Sequence, residues 1–241
     1  MTGRIYGLGL GPGDPELMTV KAHRLLSNAR HVAFFRKAGR KGQARTLADA
    51  LIPAGAMEHA MEYPVTTEIP VTDPRYNEAL AAFYETCVAR LTELAAAGED
   101  VVVLCEGDPF FYGSFMHLYT RLPRDQVDVV PAVTGMSAAW TATGQPITWG
   151  DDVMSVVMGT LDEVTLTHHI GAADAVVIMK IGRNLAKIRK ALGKAGRASD
   201  AWYIEYAAMP GQTVQRLADL AEDYAAPYFS IIVLHGQGRR P

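Results

Sequence analysis

The stretch Gly7-Leu8-Gly9-Leu10-Gly11-Pro12-Gly13-Asp14-Pro15 decides the fold, because it carries a glycine at every second position and ends in a carboxylate. The predicted strand Ile5 to Leu10 runs into this stretch, and a helix is predicted after it, from about Met18 to Ala29. Glycine is favoured where φ must be positive or where a ligand approaches the main chain closely. A strand that ends in such a turn and continues into a helix is typical of the ligand-binding edge of an α/β sheet.

This turn does not fit the nucleotide-binding templates. The dinucleotide fingerprint G-x-G-x-x-G needs a glycine where the chain has Pro12 or Asp14, and the Gly-Lys-Ser/Thr of a P-loop is absent. Asp14 would also repel a phosphate and favour a cationic ligand. The structural alternative is that Asp14 caps the following helix and Pro15 occupies its first turn.

Length and charge limit the class of protein. The 241 residues are enough for one large or two modest α/β domains. A net charge of -3, from 23 basic and 26 acidic residues, argues against a nucleic-acid partner. The sequence lacks a run of 18 apolar residues and a basic-then-apolar amino terminus, so we expect a cytoplasmic protein with no membrane partner.

No metal site is expected from the sequence. Cys87 and Cys105 stand at no metal-ligand spacing, which predicts buried free thiols. The pair His168-His169 has no carboxylate or cysteine at ligand spacing, so it is interpreted as a solvated helix end.

Strands and helices alternate in both halves of the chain, which predicts two α/β domains, 1–145 and 146–241. The first half has predicted strands at His31–Phe35, Val101–Leu104 and Val127–Val130 and a long helix at Asp73–Ala97. The second half has predicted strands at Ser155–Met158, Ala175–Ile181, Ala201–Glu205 and Phe229–His235 and helices at Leu185–Leu192 and Thr213–Tyr224. Within the first half, the basic segment 36–45 follows the strand His31–Phe35 and is either a solvated loop or a grip for an anionic substrate.

Two further turns follow predicted strands, at Glu106–Ser114 and Val133–Ser137. Together with Gly7–Thr19, they resemble the tetrapyrrole methylase family over essentially the whole chain. The resemblance implies two α/β domains with the cofactor cleft between them, S-adenosylmethionine as methyl donor, a small-molecule tetrapyrrole substrate and a homodimer. The stretches 140–152 and 179–184 are similar to the branch that methylates carbon 20 of precorrin-2 in cobalamin biosynthesis.

Candidate site residues follow from this resemblance. It implies donor contacts, largely through main-chain groups, at Gly107, Asp108, Phe110, Thr134, Ser137, Ile181, Ala208 and Phe229. The macrocycle is expected over the first turn, at Gly9, Gly11, Pro12 and Gly13, and its carboxylates near Arg36, Lys37, Lys180 and Arg183. Asp14 is a candidate for accepting a proton or a hydrogen bond from a pyrrole N–H, and Glu106 and Tyr112 are candidates for steering proton loss from carbon 20. For Asp108 the alternative is a cap of the following helix.

The chain departs from the family pattern at two places. It has Ala132 where the family usually has glycine, and Ala207-Ala208 where a Gly-Thr pair is common. An extra methyl group there would crowd the cofactor or shift its main-chain contacts. The open alternatives are a cobalt-loaded substrate or another tetrapyrrole position, a sensor that binds without turnover, and a sugar- or nucleotide-binding module.

Overall fold

The computed structural model describes residues 2–65 and 73–238 and divides the chain into two compact units, Met1–Thr134 and Gly135–Pro241. Each unit contains one five-stranded sheet with helices packed on it. The predicted α/β fold class is therefore confirmed.

The first unit is built on a parallel sheet. Its strands are β1 Ile5–Gly9, β2 His31–Lys37, β3 Met57–Tyr63, β4 Val101–Cys105 and β5 Val127–Val130, in the order β3-β2-β4-β1-β5. Its helices are α1 Val20–Ser27, α2 Gln43–Leu47, α3 Pro74–Ala96 and α4 Phe115–Tyr119. All four strand pairings are parallel, and Ile5 of β1 stands opposite Val101 and Val127. The carboxyl ends of these strands therefore lie at one edge, the first carboxyl edge.

Helices cover both faces of this sheet. Every residue of β4 is buried, as expected for a central parallel strand. Val102 and Leu104 pack with α1 on one face, whereas Val101 and Val103 pack with α3 and α4 on the other. The sheet is thus the middle layer of a three-layer unit.

The long helix α3 begins and ends where the sequence predicts. The Asp73 side chain accepts a hydrogen bond from the Arg75 amide, and Pro74 occupies the first turn. Gly98, with φ of 86°, follows the last turn and donates its N–H to the Ala95 carbonyl.

The second unit contains a mixed sheet. Its strands are β6 Met154–Met158, β7 Ala175–Met179, β8 Trp202–Glu205, β9 Thr213–Arg216 and β10 Ser230–Leu234, in the order β6-β7-β10-β8-β9. Its helices are α5 Gly135–Ala142, α6 Glu163–Ala172 and α7 Leu185–Lys194. β6 and β7 are parallel, and β10 is antiparallel to both β7 and β8, so β6, β7 and β8 all run the same way. Their carboxyl ends and the start of β10 form the second carboxyl edge.

Side chains alternate between the faces of this sheet as well. Tyr203 and Ile232 pack with α6 and α7 in the larger cluster. Ile204 and Val233 pack with Ala139 of α5 on the opposite face. Both faces are therefore used, and α5 belongs to the second unit.

The predicted helix at Thr213–Tyr224 is wrong. Thr213–Arg216 is a strand, and only Leu217–Asp219 forms one turn of 3-10 helix. Residues Thr213–Arg216 pair with β8, and the Arg216 guanidinium lies 4.0 Å from the centre of the Trp202 ring. Pairing between strands distant in sequence overrides local helix propensity here.

Three elements are absent or incomplete in the sequence predictions. They are β3, which pairs along its whole length with β2, and α6, which continues to Ala172 beyond the helix end expected at His168-His169; the short helix α2 is a third such element. β2 also extends beyond the predicted Phe35, so Arg36 and Lys37 belong to a strand and not to a loop. The rest of the predicted basic loop is interrupted by α2.

The two cysteines are buried free thiols, as predicted. Burial raises the pKa of the Cys87 thiol to about 11. None of the helices in residues 2–65 and 73–238 has the length and apolar character needed to cross a bilayer.

Candidate functional site

The first carboxyl edge contains a topological switch point. β1 and β4 are neighbours, but β1 continues toward α1 on one face and β4 toward α4 on the other. In open α/β sheets, ligands bind in the crevice that opens where neighbouring strands part in this way. The crevice is bordered by the two glycine turns that the sequence singles out.

These two turns are hydrogen-bonded to each other. The Gly107 amide donates to the Gly11 carbonyl at 3.0 Å, and the Leu10 amide donates to the Cys105 carbonyl at 2.9 Å. Gly11 and Gly107 have φ of 80° and 63°, values that favour glycine. The first and second predicted turns are thus brought together as one structure, with Pro12 buried and Gly13 partly buried beside it.

The glycines of this structure have different surroundings. A Cβ on Gly9 would stand 2.6 Å from the Ala132 Cβ and 3.0 Å from Pro109 Cδ, so close packing explains that glycine. A Cβ on Gly107 would have no atom within 4 Å. Gly107 therefore presents its main chain to open space that a ligand can approach, whereas the Gly9 Cα faces protein atoms. The unusual Ala132 methyl packs against Gly9.

All three candidate carboxylates at this edge accept main-chain hydrogen bonds. Asp14 Oδ1 accepts from the Glu16 amide at 2.9 Å, which confirms the capping alternative, although the capped segment is the 3-10 turn Pro15–Leu17. Glu106 Oε1 accepts from the Ala44 amide at 3.2 Å, in the first turn of α2. Each carboxylate therefore also helps to build the edge.

Asp108 connects two turns. Its Oδ1 accepts from the Phe110 amide and its Oδ2 from the Ala132 amide, both at 2.9 Å. Because α4 begins only at Phe115, Asp108 caps the turn after β4 and not the helix. Its second bond ties that turn to the segment after β5. The carboxylate thus fixes the shape of the crevice.

Two carboxylates, Glu106 and Asp108, lie at the end of β4 and act on the buried groups beside them. Burial raises the pKa of the Cys105 thiol, and the charges of Glu106 and Asp108 raise it further. Burial also raises the pKa of Tyr63 at the end of β3, with a smaller contribution from Glu106. The negative charges of these two carboxylates favour a cationic ligand.

Two aromatic side chains stand out from the turn after β4. Phe110 and Tyr112 are each 45% exposed, which is high for large apolar groups. Tyr112 also has φ of 55°, a conformation that costs energy for a residue with a side chain. Strain and exposure at the same turn are typical of a ligand-binding segment.

The basic segment after β2 is largely neutralised by the chain itself. Arg36 stands opposite Glu62 of β3 in the strand register and donates to its carboxylate at 2.9 Å. Arg45 pairs with Glu58 at 2.6 Å, and Lys41 with Asp49 at 2.8 Å. Lys37 is exposed at the end of β2. A substrate carboxylate would have to exchange with Glu62 to reach Arg36.

The remaining candidates lie in the second unit, except Thr134, which is the last residue of the first unit. Exposed Lys180 and Arg183 and buried Ile181 follow β7, Ala208 follows β8, and Phe229 immediately precedes β10, all at the second carboxyl edge. Ser137 is on α5, and Thr134 directly precedes that helix. The sheet therefore brings the candidates on three of its strands to one edge.

Backbone strain is concentrated at this second edge. Lys180, Tyr206 and Ala208 have φ of 53°, 51° and 58°. The Tyr206 amide donates to the Phe229 carbonyl at 2.9 Å, and the Ala208 amide donates to Gln212 Oε1 at 2.8 Å. The turn after β8 is thus held in a strained form, which is common where a main chain is shaped for a ligand.

Sequence reasoning missed two residues of this edge. Gln212 fixes the Ala208 amide, and Glu205 is a carboxylate with only 6% exposure at the end of β8. The alternation of side chains along a strand places Glu205 on the same face as Tyr203, and that spacing was the available signal. Within residues 2–65 and 73–238, no group of three His, Cys, Asp or Glu side chains is placed to hold a metal ion.

Comparison with known proteins identifies the class to which this fold and these edges belong. The family model of Tetrapyrrole (Corrin/Porphyrin) Methylases matches residues 4–221. The chain belongs to this family.

Individual members of the family show which enzymes the chain is similar to. The chain is 45% identical over 240 residues to the precorrin-2 C(20)-methyltransferase of Sinorhizobium sp, covering 99% of this chain and 98% of that protein. It is 27% identical to the cobalt-precorrin-2 C(20)-methyltransferase of Salmonella typhimurium, covering 98% of each. Among solved structures, the uroporphyrin-III C-methyl transferase of Thermus thermophilus complexed with S-adenosylhomocysteine superposes with a TM-score of 0.68 at 26% identity, covering 97% of this chain and 92% of that chain.

Proposed function

We propose that this protein transfers a methyl group from S-adenosylmethionine to carbon 20 of metal-free precorrin-2, giving precorrin-3A and S-adenosylhomocysteine in cobalamin biosynthesis. The observation that carries this proposal is the 45% identity to the precorrin-2 enzyme over nearly the whole of both chains. The relative named for the cobalt-loaded substrate is only 27% identical. This difference favours the metal-free substrate.

The residues at the two carboxyl edges suit the methyl donor. When bound, S-adenosylmethionine supplies an electrophilic methyl group on a cationic sulfur. The open main chain at Gly107 and the acidic pair Glu106 and Asp108 suit a cation that approaches the backbone closely. We assign donor contacts to Gly107, Asp108, Phe110 and Thr134 in the first unit and to Ser137, Ile181, Ala208 and Phe229 in the second.

The substrate is a polyanion with a flat ring. We assign its floor to the first turn, at Gly11, Pro12 and Gly13, and leave out Gly9, whose Cα faces protein atoms. We assign its carboxylates to Lys37, Lys180 and Arg183, with Arg36 available by exchange from Glu62. Charge-assisted hydrogen bonds to such groups fix orientation as well as affinity. Acidic residues follow β4 at the first carboxyl edge, whereas the exposed basic side chains follow β2 and β7, so each ligand charge has residues of the opposite sign available to it.

Methyl transfer to carbon 20 does not depend strongly on any single side chain. The meso carbon is already nucleophilic because enamine-like nitrogens flank it, so orientation and exclusion of water supply much of the catalysis. Carbon 20 must then lose its proton. We assign Asp14 as a candidate acceptor and Glu106 and Tyr112 as candidates that steer the loss of this proton, and Tyr112 is the most exposed of the three.

Calorimetry tests the donor part of this proposal. S-adenosylhomocysteine should bind with micromolar affinity or better, whereas ATP and NAD should bind far more weakly. Comparable ATP affinity would contradict the proposal. Assaying metal-free and cobalt-loaded precorrin-2 side by side then tests the substrate, and binding of both ligands without turnover would indicate a sensor.

The homodimer and the cytoplasmic location are part of the same proposal. The homodimer rests on the family resemblance, and the cytoplasmic location rests on the expectation drawn from the sequence. Light scattering on the purified protein at several concentrations measures its oligomeric state. A monomer at every concentration would contradict the proposed homodimer.

A further inference from the structure

Glu205 is a buried carboxylate that the assignments above do not use. Only 6% of the residue is exposed. The hydroxyls of Tyr203 and Tyr224 both donate to its Oε1 at 2.7 Å, and the Thr213 hydroxyl lies 3.5 Å from its Oε2. Glu205 therefore gathers hydroxyl groups from β8, from β9 and from the segment that leads to β10.

A carboxylate is a costly group to bury at this place. Removing a charge from water is unfavourable unless hydrogen bonds compensate it, and well-packed apolar side chains often stabilise a fold as well or better. The charge is felt by its neighbours, because hydrogen bonding to Glu205 raises the pKa of Tyr224 and adds to the effect of burial on Tyr203. The stability of the fold alone therefore does not explain a buried carboxylate at this position.

The place of Glu205 suggests what its charge does. It directly precedes the strained turn in which Tyr206 and Ala208 have positive φ. Thr213 follows that turn, and Tyr224 lies in the segment that leads to Phe229. The Tyr206 amide joins the two segments through its bond to the Phe229 carbonyl at 2.9 Å. The hydroxyl groups around Glu205 thus hold both sides of this connection.

We propose that Glu205 is a positioning residue for the methyl donor: by holding the hydroxyls of Tyr203 and Tyr224, it fixes the turn at Ala208 and the carbonyl of Phe229. This inference rests on the proposed function, because Ala208 and Phe229 contact the donor only if the chain binds S-adenosylmethionine. Glu205 itself touches neither ligand and acts through the main chain of the turn.

The first test is Glu205→Gln, which keeps the size of the side chain and removes its charge. Two charge-assisted hydrogen bonds become neutral ones, so the Kd for S-adenosylhomocysteine measured by calorimetry should rise about tenfold. The Kd for precorrin-2 should stay within about twofold, because its contacts are assigned elsewhere. The matched control is Glu222→Gln, the same charge change at an exposed residue of the neighbouring segment, and it should leave both constants unchanged.

The second test is Tyr224→Phe, which is gentle because Tyr224 is 37% exposed and loses only its hydroxyl. It should weaken S-adenosylhomocysteine binding about threefold, and adding it to Glu205→Gln should weaken binding by less than the product of the two single effects. This variant keeps the inference testable if Glu205→Gln folds poorly.

The outcomes separate the inference from the proposed function. If the wild-type protein binds no S-adenosylhomocysteine, the proposed function and the inference about Glu205 are both contradicted. If it binds the ligand and both variants keep the same affinity, the inference alone is overturned. Equal weakening of donor and precorrin-2 binding together with a lower melting temperature would also overturn it, because that is the signature of a structural role only.

Discussion

Replacing Gly107 with alanine separates a donor-contacting glycine from a merely conformational one. The residue has φ of 63°, and a Cβ built there has no atom within 4 Å. The free protein therefore bears only the cost of a left-handed alanine, about 1 kcal/mol. For a chain of this size, such a loss lowers the melting temperature by about 2–4 °C.

Gly107→Ala should weaken donor binding more than it lowers the stability of the fold. If it packs against the main chain of Gly107, the new methyl group occupies its place, and the Kd for S-adenosylhomocysteine should rise at least about tenfold, or about 1.4 kcal/mol. Calorimetry measures this constant, and a melting curve measures stability on the same sample.

Gly196→Ala is the matched control. Gly196 follows α7 with φ of 70°, and a Cβ built there also has no neighbour within 4 Å. Its variant should lose the same stability and keep the donor affinity of the wild type. If the two variants have equal melting temperatures and equal donor affinities, the open space at Gly107 is not a donor site and the reasoning fails.

Three further results are expected. Asp108→Ala removes two hydrogen bonds to a charged group, so the free energy of unfolding measured in urea should fall by about 1.5–3 kcal/mol or more, and donor binding should weaken. A variant that keeps both its stability and its donor affinity would contradict the role given to this carboxylate. Burial lowers the pKa of His235, so the unfolded chain binds this proton before the folded chain does, and the contribution to stability that is present above about pH 6.5 is lost as the pH falls below it. Urea titrations at about pH 7.5 and 5.5 should therefore show a smaller loss of unfolding free energy for His235→Gln than for the wild type. Equal losses would count against this cause. The Cys87 thiol, with a pKa of about 11, should react slowly with a thiol reagent near pH 8 in the native state and rapidly in denaturant, and fast native reaction would show that it is accessible.

Local patterns in the sequence were enough to locate the first carboxyl edge. The run Val101–Leu104 is continuously apolar, which predicts a strand buried on both faces, and glycine turns mark the ends of β1 and β4. The capping role of Asp14 also follows from the Asp-Pro pair, because the capping bond reaches an amide only two residues away. Short-range chemistry was therefore predictable.

Features that depend on distant segments were not predictable in this way. β9 is four residues long and is a strand because β8 lies beside it, and its own composition does not exclude a helix. Glu205 meets hydroxyl groups from positions 203, 213 and 224, which no single period in the sequence connects. The second bond of Asp108, to Ala132, likewise needs the fold before it can be seen.

The most direct test of the account is the position of the transferred methyl group. The purified protein is incubated with metal-free precorrin-2 and S-adenosylmethionine labelled in its methyl carbon, and the product is examined by mass spectrometry and NMR. We expect one added methyl group, carrying the label at carbon 20, and a matching amount of S-adenosylhomocysteine. A labelled methyl at any other carbon, or no transfer by a protein that binds both ligands, would contradict the account.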